Sequence, residues 1–578
     1  MPTKNNSSRP QSKSASKPAR KPFAWYLVLM PLFVALFSLL YFEKGEIIAL
    51  NSGCGWDGVT YKNVVWSLQW NKSSAELQER GRLRIDPYRA QRIAPSVAVY
   101  GEMQAAKFLY QQIVPMFDKL PAWLEWSYQQ YPIPLWFFRW FAKDANSSQQ
   151  SVALNIDSFV AGYFVFHNAF MLLGTALLWA LIARNLALGA VARWLGFTAL
   201  FVNVAVMKMS FYYPTLTDTS ALFIGTLTLY AYLARHQWLV LIAAAIGFFT
   251  FPTAFYIAML LFIIPKTASN QAASNQSASN QAVTDTTNGI PQRTARLIAA
   301  TTTALMLLLS VYFVLIAGTR FPEVEPVITV LLPLTMPLFL AQWFFTVESV
   351  LLVLPLERLK NVVQSAALKG SVLRLGIALV FWGGLMFWKR MIQDETLSAP
   401  MNTDLFLGGS LACAVSKPLL TIVAAAVYFG PMVLFATVYF RPFLRTALRL
   451  GLGLFAVISV FVLLATMMTE TRQLINVLPF VVVVIACMLN TITVKPWAVA
   501  LLSAMSLVGS KIWLTMNFPE MQQQAANIAN GSFTTFPLQW YFMNHGPWMS
   551  MSAYLVQAAL VLVVSGVLWR VFADVAKE

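Results

Sequence analysis

The chain has few charged residues and few cysteines for its length. Only 11% of its 578 residues are charged, whereas a typical soluble domain contains about 25%. Its three cysteines, Cys54, Cys413 and Cys487, are too few for a disulfide framework and show no metal-ligand spacing. The sequence therefore predicts neither a soluble globular domain nor a metal site built from cysteines.

Apolar residues make up 58% of the chain and occur in long blocks. Each block is close to the ~20 residues with which a helix spans a bilayer, and helices satisfy the backbone hydrogen bonds inside hydrocarbon. We predict an all-α polytopic membrane protein with about 12–14 spans or half-spans. The predicted full spans are 24–42, 158–183, 194–212, 218–235, 296–317, 327–347, 372–388, 418–440, 450–469, 473–490, 497–514 and 550–572.

The block 238–264 is interrupted by Phe-Thr-Phe-Pro at 249–252. One continuous helix would place Lys266, Arg293 and Arg296 outside, against the rule that short cytoplasmic loops carry the positive charge. Two half-length helices keep these residues inside, and proline suits such a break. We predict a helical hairpin.

The formal net charge of +17 lies largely in the N-terminal tail and in short loops. This is the positive-inside distribution of a membrane protein, and we expect no nucleic-acid partner. The predicted order is a disordered basic cytoplasmic tail (1–23), a retained first span (24–42), a long external loop (43–157), the first part of the transmembrane bundle (158–264), a low-complexity cytoplasmic loop (265–295), the second part of the bundle (296–573) and a cytoplasmic C-terminus (574–578).

The predicted topology brings polar groups together on the external face. It places there the long first loop, Asp218, the turn containing Glu470 and Arg472, and the loop 515–549. The first loop also contains aromatic-rich stretches at 99–117 and 121–142. These stretches fit helices lying in the membrane interface or a small folded cap packed on the bundle.

The first loop holds the densest group of chemically active residues. Glycines on both sides of Asp57 allow a tight turn and close approach of a ligand, and the carboxylate could act as general base for an acceptor hydroxyl. Arg89 and Arg92 would share one face of a helix, and guanidinium groups bind phosphate in a bidentate manner. An acid and two arginines beside a membrane suit a lipid phosphate. The alternative is an Asp–Arg ion pair that holds the loop together.

Three short motifs stand out along the chain. They are Asp57-Gly-x-x-Tyr61 followed by Tyr88-Arg-x-Gln91-Arg92-Ile-x-x-Pro95, Tyr213-Pro-Thr-Leu-Thr-Asp218-Thr219, and Glu470-Thr-Arg472-Gln-Leu-Ile-Asn-Val-Leu-Pro479. Together they resemble motifs of bacterial members of the GT-C glycosyltransferase superfamily. In the third motif, Gln473 stands where tyrosine is common in that superfamily.

The resemblance implies a GT-C-like enzyme that uses a polyprenyl-phosphate sugar as donor and needs no further cofactor. It assigns the catalytic base to Asp57, with Asp86 in reserve, although Asp86 before proline also suits a plain turn. The first loop has no Asp-x-Asp or Glu-x-Asp pair, so divalent metal assistance is not expected. The implied location is a bacterial inner membrane, with both termini cytoplasmic and membrane lipids as neighbours. The acceptor is left open.

Other polar residues could line the same site. Arg89, Arg92 and Arg472 would hold the donor phosphate, and the further candidates for the lining are Tyr61, Tyr88, Gln91, Asp218, Glu470, Lys511, Tyr541 and His545. Each has a plainer alternative. Asp218 could cap a helix, Glu470 and Arg472 could pair across a turn, and Lys511 could extend to the headgroups. His167, inside an apolar span, is typical of an interhelical hydrogen bond.

Two other classes of function remain open from the sequence. A transporter or flippase for a lipid-linked or anionic substrate is favoured by the broken block 238–264, because interrupted helices line transporter sites. No similar feature recurs in the second half of the chain. A non-catalytic membrane assembly subunit would use the long loop to bind a partner.

Overall fold

A computed structural model describes most of the predicted bundle and part of the first loop. The described residues are 31, 34, 57–69, 85, 87–113, 156–266, 290–316, 325–354, 366–393, 403–467, 471–512, 515–516, 538–539, 551–573 and 575. The predicted tail 1–23, nearly all of the span 24–42, the stretch 121–142 and most of the loop 265–295 lie outside them.

The described part of the first half of the chain is helical, as its apolar blocks predict. A π-helical turn at Ala205–Met209 joins two of the helices. The α-helices are α1 (Asp57–Gln69), α2 (Pro87–Ala90), α3 (Ala94–Ile113), α4 (Ile156–Asn185), α5 (Ala190–Phe201), α6 (Ser210–Tyr212), α7 (Asp218–Leu233), α8 (Gln237–Phe248) and α9 (Pro252–Ile263).

The described part of the second half is also helical, apart from one short strand pair. The α-helices are α10 (Gln292–Val311), α11 (Glu325–Val353), α12 (Ala366–Ile392), α13 (Thr403–Ser416), α14 (Leu420–Phe429), α15 (Leu434–Val438), α16 (Phe440–Leu450), α17 (Leu452–Met467), α18 (Leu478–Thr491), α19 (Pro496–Ile512) and α20 (Met551–Val571). The remaining elements are a π-helical turn (Tyr312–Ile316), two 3₁₀ turns (Pro431–Val433 and Thr471–Leu474) and the parallel strands β1 (Thr515–Met516) and β2 (Leu538–Gln539).

Several helices are long and apolar enough to cross a membrane. Among the described residues five pass this test, or seven if each of two bent helix pairs is one span. Helices α7, α17, α18 and α19 contain 16, 16, 14 and 17 residues. A 14-residue helix is about 21 Å long, less than the ~30 Å hydrocarbon core. The described chain is thus that of a multi-pass membrane protein with fewer full-length spans than predicted.

The predicted hairpin at 238–264 is confirmed. A Cβ added to Gly247 would lie 3.1 Å from Cβ of Ala254, whereas seven residues advance about 10 Å along a continuous helix. Helices α8 and α9 therefore pack side by side, and each, at about 18 Å, is too short to span a bilayer. Just beyond the end of α9, burial and, to a smaller extent, the charge of Arg235 lower the pKa of Lys266.

The continuous span predicted at 418–440 is wrong. Helix α14 ends at Phe429, because Gly430 has a φ of +83° and Pro431 starts a 3₁₀ turn. At its other end Leu419 has a φ of +61°, and the chain bends by 97° between the end of α13 and α14. Hydropathy detects an apolar segment but not these left-handed backbone positions, which end a helix.

The predicted span 194–212 is also broken. The axis bends by 54° between Ala190–Phe201 and Val204–Phe211. Asn203 stabilises the break, since its side-chain amide donates to the carbonyls of Ala199 and Leu200 and its oxygen accepts from the Val206 amide. The side chain thus satisfies backbone groups that the helix leaves open.

The first loop folds partly as a cap on the bundle. Helices α1 and α3 pack on each other and on α4. Tyr61 and Val65 of α1, Val99 and Met103 of α3, and Tyr163 of α4 belong to one buried cluster. Where it is described, the loop therefore matches the packed-cap alternative.

Candidate functional site

A buried ion pair joins two segments that the sequence places on the same face. Asp218 is the first residue of α7, and Arg472 lies in the 3₁₀ turn before α18. Arg472 Nε is 3.4 Å from Asp218 Oδ1, and both side chains are 2% exposed. The Tyr428 hydroxyl donates to the same carboxylate oxygen at 3.4 Å. A carboxylate is favourable at this helix N-terminus. The N-cap residue is Thr217, so the capping alternative for Asp218 is not what the structure shows.

A glycine of α7 allows the close approach of the arginine turn, the 3₁₀ turn Thr471–Leu474 that contains Arg472. A Cβ at Gly225 would lie 2.2 Å from the carbonyl oxygen of Asn476. The segment that carries Arg472 therefore packs directly on the α7 backbone. The Asn476 side chain then donates to Thr253 Oγ1 at 2.8 Å, which joins the same segment to the start of α9.

Arg92 reaches this cluster from the first loop. Its Nη2 donates to Gln473 Oε1 at 3.4 Å, and its guanidinium lies 4.7 Å from the centre of the Phe251 ring. The Ala94 amide donates to the Phe249 carbonyl at 2.8 Å. The start of α3 therefore sits on the tip of the hairpin, and Arg92 is 1% exposed. The structure brings Arg92 next to the residue that follows Arg472.

An apolar cavity is lined by residues that are close in the chain to Tyr428 and Arg472. Its volume is about 390 Å³, and its walls come from α11, α14–α18 and the turns between them. Two lining residues connect it to the ion pair, since Leu474 follows Arg472 by two positions and Phe429 follows Tyr428. From Leu474 the wall continues along α18 to Val481, and from Thr466 it continues along α17 to Ile458. The cavity therefore extends away from the buried charges into the bundle.

The backbone separates Asp57 from Arg92. Asp57 begins α1, and Val64 of the same helix shares a buried cluster with Ala90 and Ile93. Seven residues along a helix amount to about 10 Å, so Asp57 lies at the end of α1 away from the arginine. The side chain of Asp57 lies outside the described residues, and its role as base stays a prediction.

The remaining predicted residues fall into two groups. Arg89, near the end of α2, is half-buried, and its carbonyl accepts a hydrogen bond from the Arg92 amide. Gln91 is also half-buried. Tyr61 of α1 is buried in the cluster that joins the cap to α4. The predicted residues outside the described part are Asp86, Glu470, Tyr541 and His545, and likewise the side chains of Tyr88 and Lys511.

A second polar group was not predicted as a site. His167 of α4 has both ring nitrogens engaged, with Nδ1 2.8 Å from Glu102 Oε1 and Nε2 3.0 Å from Ser220 Oγ. The interhelical hydrogen bonding predicted for His167 is therefore present. Its partners could not be identified from spacing, because they lie on α3 and α7. The signal that was available is a histidine inside an apolar span.

The described residues contain no group of three His, Cys, Asp or Glu side chains that could hold a metal ion. The chain matches no protein-family model, no curated protein and no solved structure.

Proposed function

We propose that the chain is a membrane glycosyltransferase of GT-C type. It would move a sugar from a polyprenyl-phosphate donor to an acceptor on the external face of a bacterial inner membrane. The acceptor could be a glycan, a lipid or a protein. The observation that carries this proposal is a pair of buried arginines, Arg92 and Arg472, with Leu474, two residues after Arg472, in the wall of an apolar cavity. The motifs that resemble the superfamily contribute Arg92, Asp218 and Arg472 to this one place.

The donor has a charged head and a long apolar chain, and the site offers a region for each. Guanidinium groups form strong, charge-assisted hydrogen bonds with phosphate oxygens. The cavity is lined mainly by aliphatic and aromatic side chains, which suit a prenyl chain because apolar surface gains about 25 cal/mol per Å² on leaving water. We therefore place the phosphate near Arg92 and Arg472 and the first prenyl units beside Leu474.

The proposed reaction is a displacement at the anomeric carbon. The acceptor hydroxyl loses its proton to the base as its oxygen bonds to that carbon. The bond to the donor phosphate breaks, and polyprenyl phosphate leaves with the electron pair. Arg92 and Arg472, with Arg89 close by, would stabilise the charge that develops on this leaving group. Asp57 is the proposed base, with Asp86 in reserve.

Binding of polyprenyl phosphate to the purified full-length protein tests the donor site. We expect Arg472→Gln and Arg92→Gln each to weaken binding by about 10- to 100-fold, because a hydrogen bond to a charged group contributes about 1.5–3 kcal/mol. Arg445→Gln, at an exposed arginine of α16, is the matched control and should leave the Kd unchanged.

A cavity variant tests the same proposal without touching a charge. Ala425→Phe would fill part of the cavity wall and should weaken polyprenyl phosphate more than a short-chain prenyl phosphate. Wild-type protein should bind polyprenyl alcohol less tightly than the phosphate. Equal binding of the alcohol and the phosphate, or no effect of either arginine change, would contradict the assignment.

A transporter or flippase of a lipid-linked substrate is the second candidate. It is favoured by the half-length helices α8 and α9, whose connecting turn contacts Arg92, because interrupted helices form transporter sites. In a transporter, a cysteine that replaces Gln473 would react with impermeant thiol reagents from both sides of the membrane. In a transferase it would react from the external side alone.

A further inference from the structure

Ser220, His167 and Glu102 form a continuous hydrogen-bonded series across three helices. Ser220 Oγ lies 3.0 Å from His167 Nε2, and His167 Nδ1 lies 2.8 Å from Glu102 Oε1. The ring nitrogens have the order found in serine hydrolases, where Nε2 faces the nucleophile and Nδ1 faces the acid. Such triads are recognised by geometry and not by chain order, since they recur on unrelated folds.

The residues around the series hold it in place. The Asn168 side chain donates to the carbonyls of Ser210 and Pro214, both at 2.8 Å. Thr219 Oγ1 lies 2.8 Å from Ser210 Oγ. These bonds fix α4 against the segment that leads into α7, and therefore fix His167 against Ser220. Side chains held in this way are preorganised for catalysis.

Two observations beyond the triad geometry indicate a ligand position at Ser220. Ser220 lies in the first turn of α7, where backbone N–H groups lack helical partners and can stabilise an oxyanion, and this helix start has no side-chain cap. Thr217 Oγ1 at the same turn is buried without a hydrogen-bond partner among the described residues, and so is Glu102 Oε2. Buried polar atoms of this kind occur where a ligand or water completes a site.

The triad is separate from the proposed donor site around Asp218, Arg472 and Arg92. Asp218 and Ser220 are two residues apart, so their side chains leave α7 in directions about 200° apart. Asp218 contacts Arg472 and Tyr428, whereas Ser220 contacts His167. The inference therefore does not depend on the proposed glycosyl transfer.

We propose that Ser220 is the nucleophile of an acyl-transfer site, with His167 as general base and Glu102 as the group that orients it. Ser220 Oγ bonds to the carbonyl carbon of an ester while its proton passes to His167 Nε2. The alkoxide then leaves and takes that proton, which gives acyl-Ser220 and an alcohol. Water or a second alcohol releases the acyl group by the same steps in reverse. Ser220 is 4% exposed and its helix packs on the apolar helix α4, so the ester we propose is a long-chain, lipid-like one.

A long-chain alkyl fluorophosphonate tests this site in the full-length protein. A serine that a histidine activates bonds to phosphorus with loss of fluoride. We expect the wild type to be labelled at Ser220, as located by peptide mass spectrometry. The labelling rate should fall by about 10⁶-fold in His167→Ala and about 10⁴-fold in Glu102→Gln, since losing the histidine or the acid of a triad lowers kcat by factors of this order. Ser459→Ala, at a buried serine of α17, is the matched control and should label as the wild type does.

Two results would overturn the proposal. One is absence of labelling at Ser220 in protein that shows the wild-type thermal melting profile. The other is equal labelling of wild type and a folded His167→Gln variant, because hydrogen bonds that only join helices do not activate a serine. Polyprenyl phosphate binding measured on the same preparations separates this outcome from failure of the proposed glycosyl transfer, since neither Ser220 nor His167 belongs to the donor site.

Discussion

The Asp218–Arg472 pair shows how strongly a single buried charge depends on its partner. Asp218→Asn would leave the guanidinium of Arg472 without the carboxylate that lies 3.4 Å away. Breaking a buried ion pair from one side costs about 3–5 kcal/mol, whereas replacing both partners by neutral groups can cost much less. We expect the double variant Asp218→Asn/Arg472→Met to lose less free energy of unfolding than the two single variants lose in total. The difference should be at least about 1 kcal/mol.

Thermal unfolding of the four proteins of this cycle in one detergent measures the coupling. Asp218→Asn combined with Gly383→Ala is the matched control, because Gly383 lies on α12 with nothing within 4 Å of an added Cβ. The stability losses of Asp218→Asn and Gly383→Ala should add. If the losses of Asp218→Asn and Arg472→Met also added, the two side chains would not stabilise each other.

The sequence predicted which side chains share a face, but not which of them touch. Charge-derived topology placed Asp218, Arg472 and the first loop together, and the structure shows Asp218 on Arg472 and Arg92 on Gln473. The contacts themselves could not be predicted. They span more than 200 residues of chain and depend on a close approach at Gly225, which leaves no trace in hydropathy.

At the scale of the element, the close contact at Gly225 determines the position of the arginine turn. Gly225→Ala would force the Asn476 carbonyl away from α7, because the added Cβ would lie 2.2 Å from its oxygen. Overpacking of this kind typically costs about 1–3 kcal/mol. We expect a lower melting temperature and weaker binding of polyprenyl phosphate, since Arg472 moves with the turn.

Gly376→Ala is the matched control for this change. Gly376 also lies within a helix, and an added Cβ there would have nothing within 4 Å. Because alanine is favoured over glycine inside helices by about 1 kcal/mol, the melting temperature of Gly376→Ala should equal or exceed that of the wild type. If Gly225→Ala behaves in the same way as Gly376→Ala, α7 does not support the turn as described.

Helix breaks were predictable only where proline and charge indicated them together. The α8–α9 hairpin followed from Pro252 and from the basic residues Lys266, Arg293 and Arg296 that come after the block. The breaks at Gly430 and Asn203 lie within uniformly apolar segments, where the window average stays high across the turn. Local backbone dihedrals and one side-chain amide decide these breaks, and a single polar residue in an apolar window lowers the average too little to mark the break.

At the scale of the whole molecule, a group of one glutamate and two arginines holds three helices together. Glu348 of α11 accepts from Arg296 of α10 at 3.0 Å and from Arg441 of α16 at 3.1 Å. Helix α16 continues with Arg445 and Arg449 on its exposed side. From the positive-inside rule we expect this group on the cytoplasmic face and the cap formed by α1 and α3 on the opposite face.

Cysteine labelling in intact cells tests this arrangement. In a background where Cys54, Cys413 and Cys487 are replaced by alanine, Ala105→Cys and Arg445→Cys each place one thiol at an exposed position, on α3 and α16 respectively. We expect an impermeant maleimide to label position 105 in intact cells, and position 445 only after the membrane is permeabilised. Labelling of both positions from the same side would place the cap and the basic helix on one face. The two buried arginines would then lose their predicted external location, and the transferase its proposed side of action.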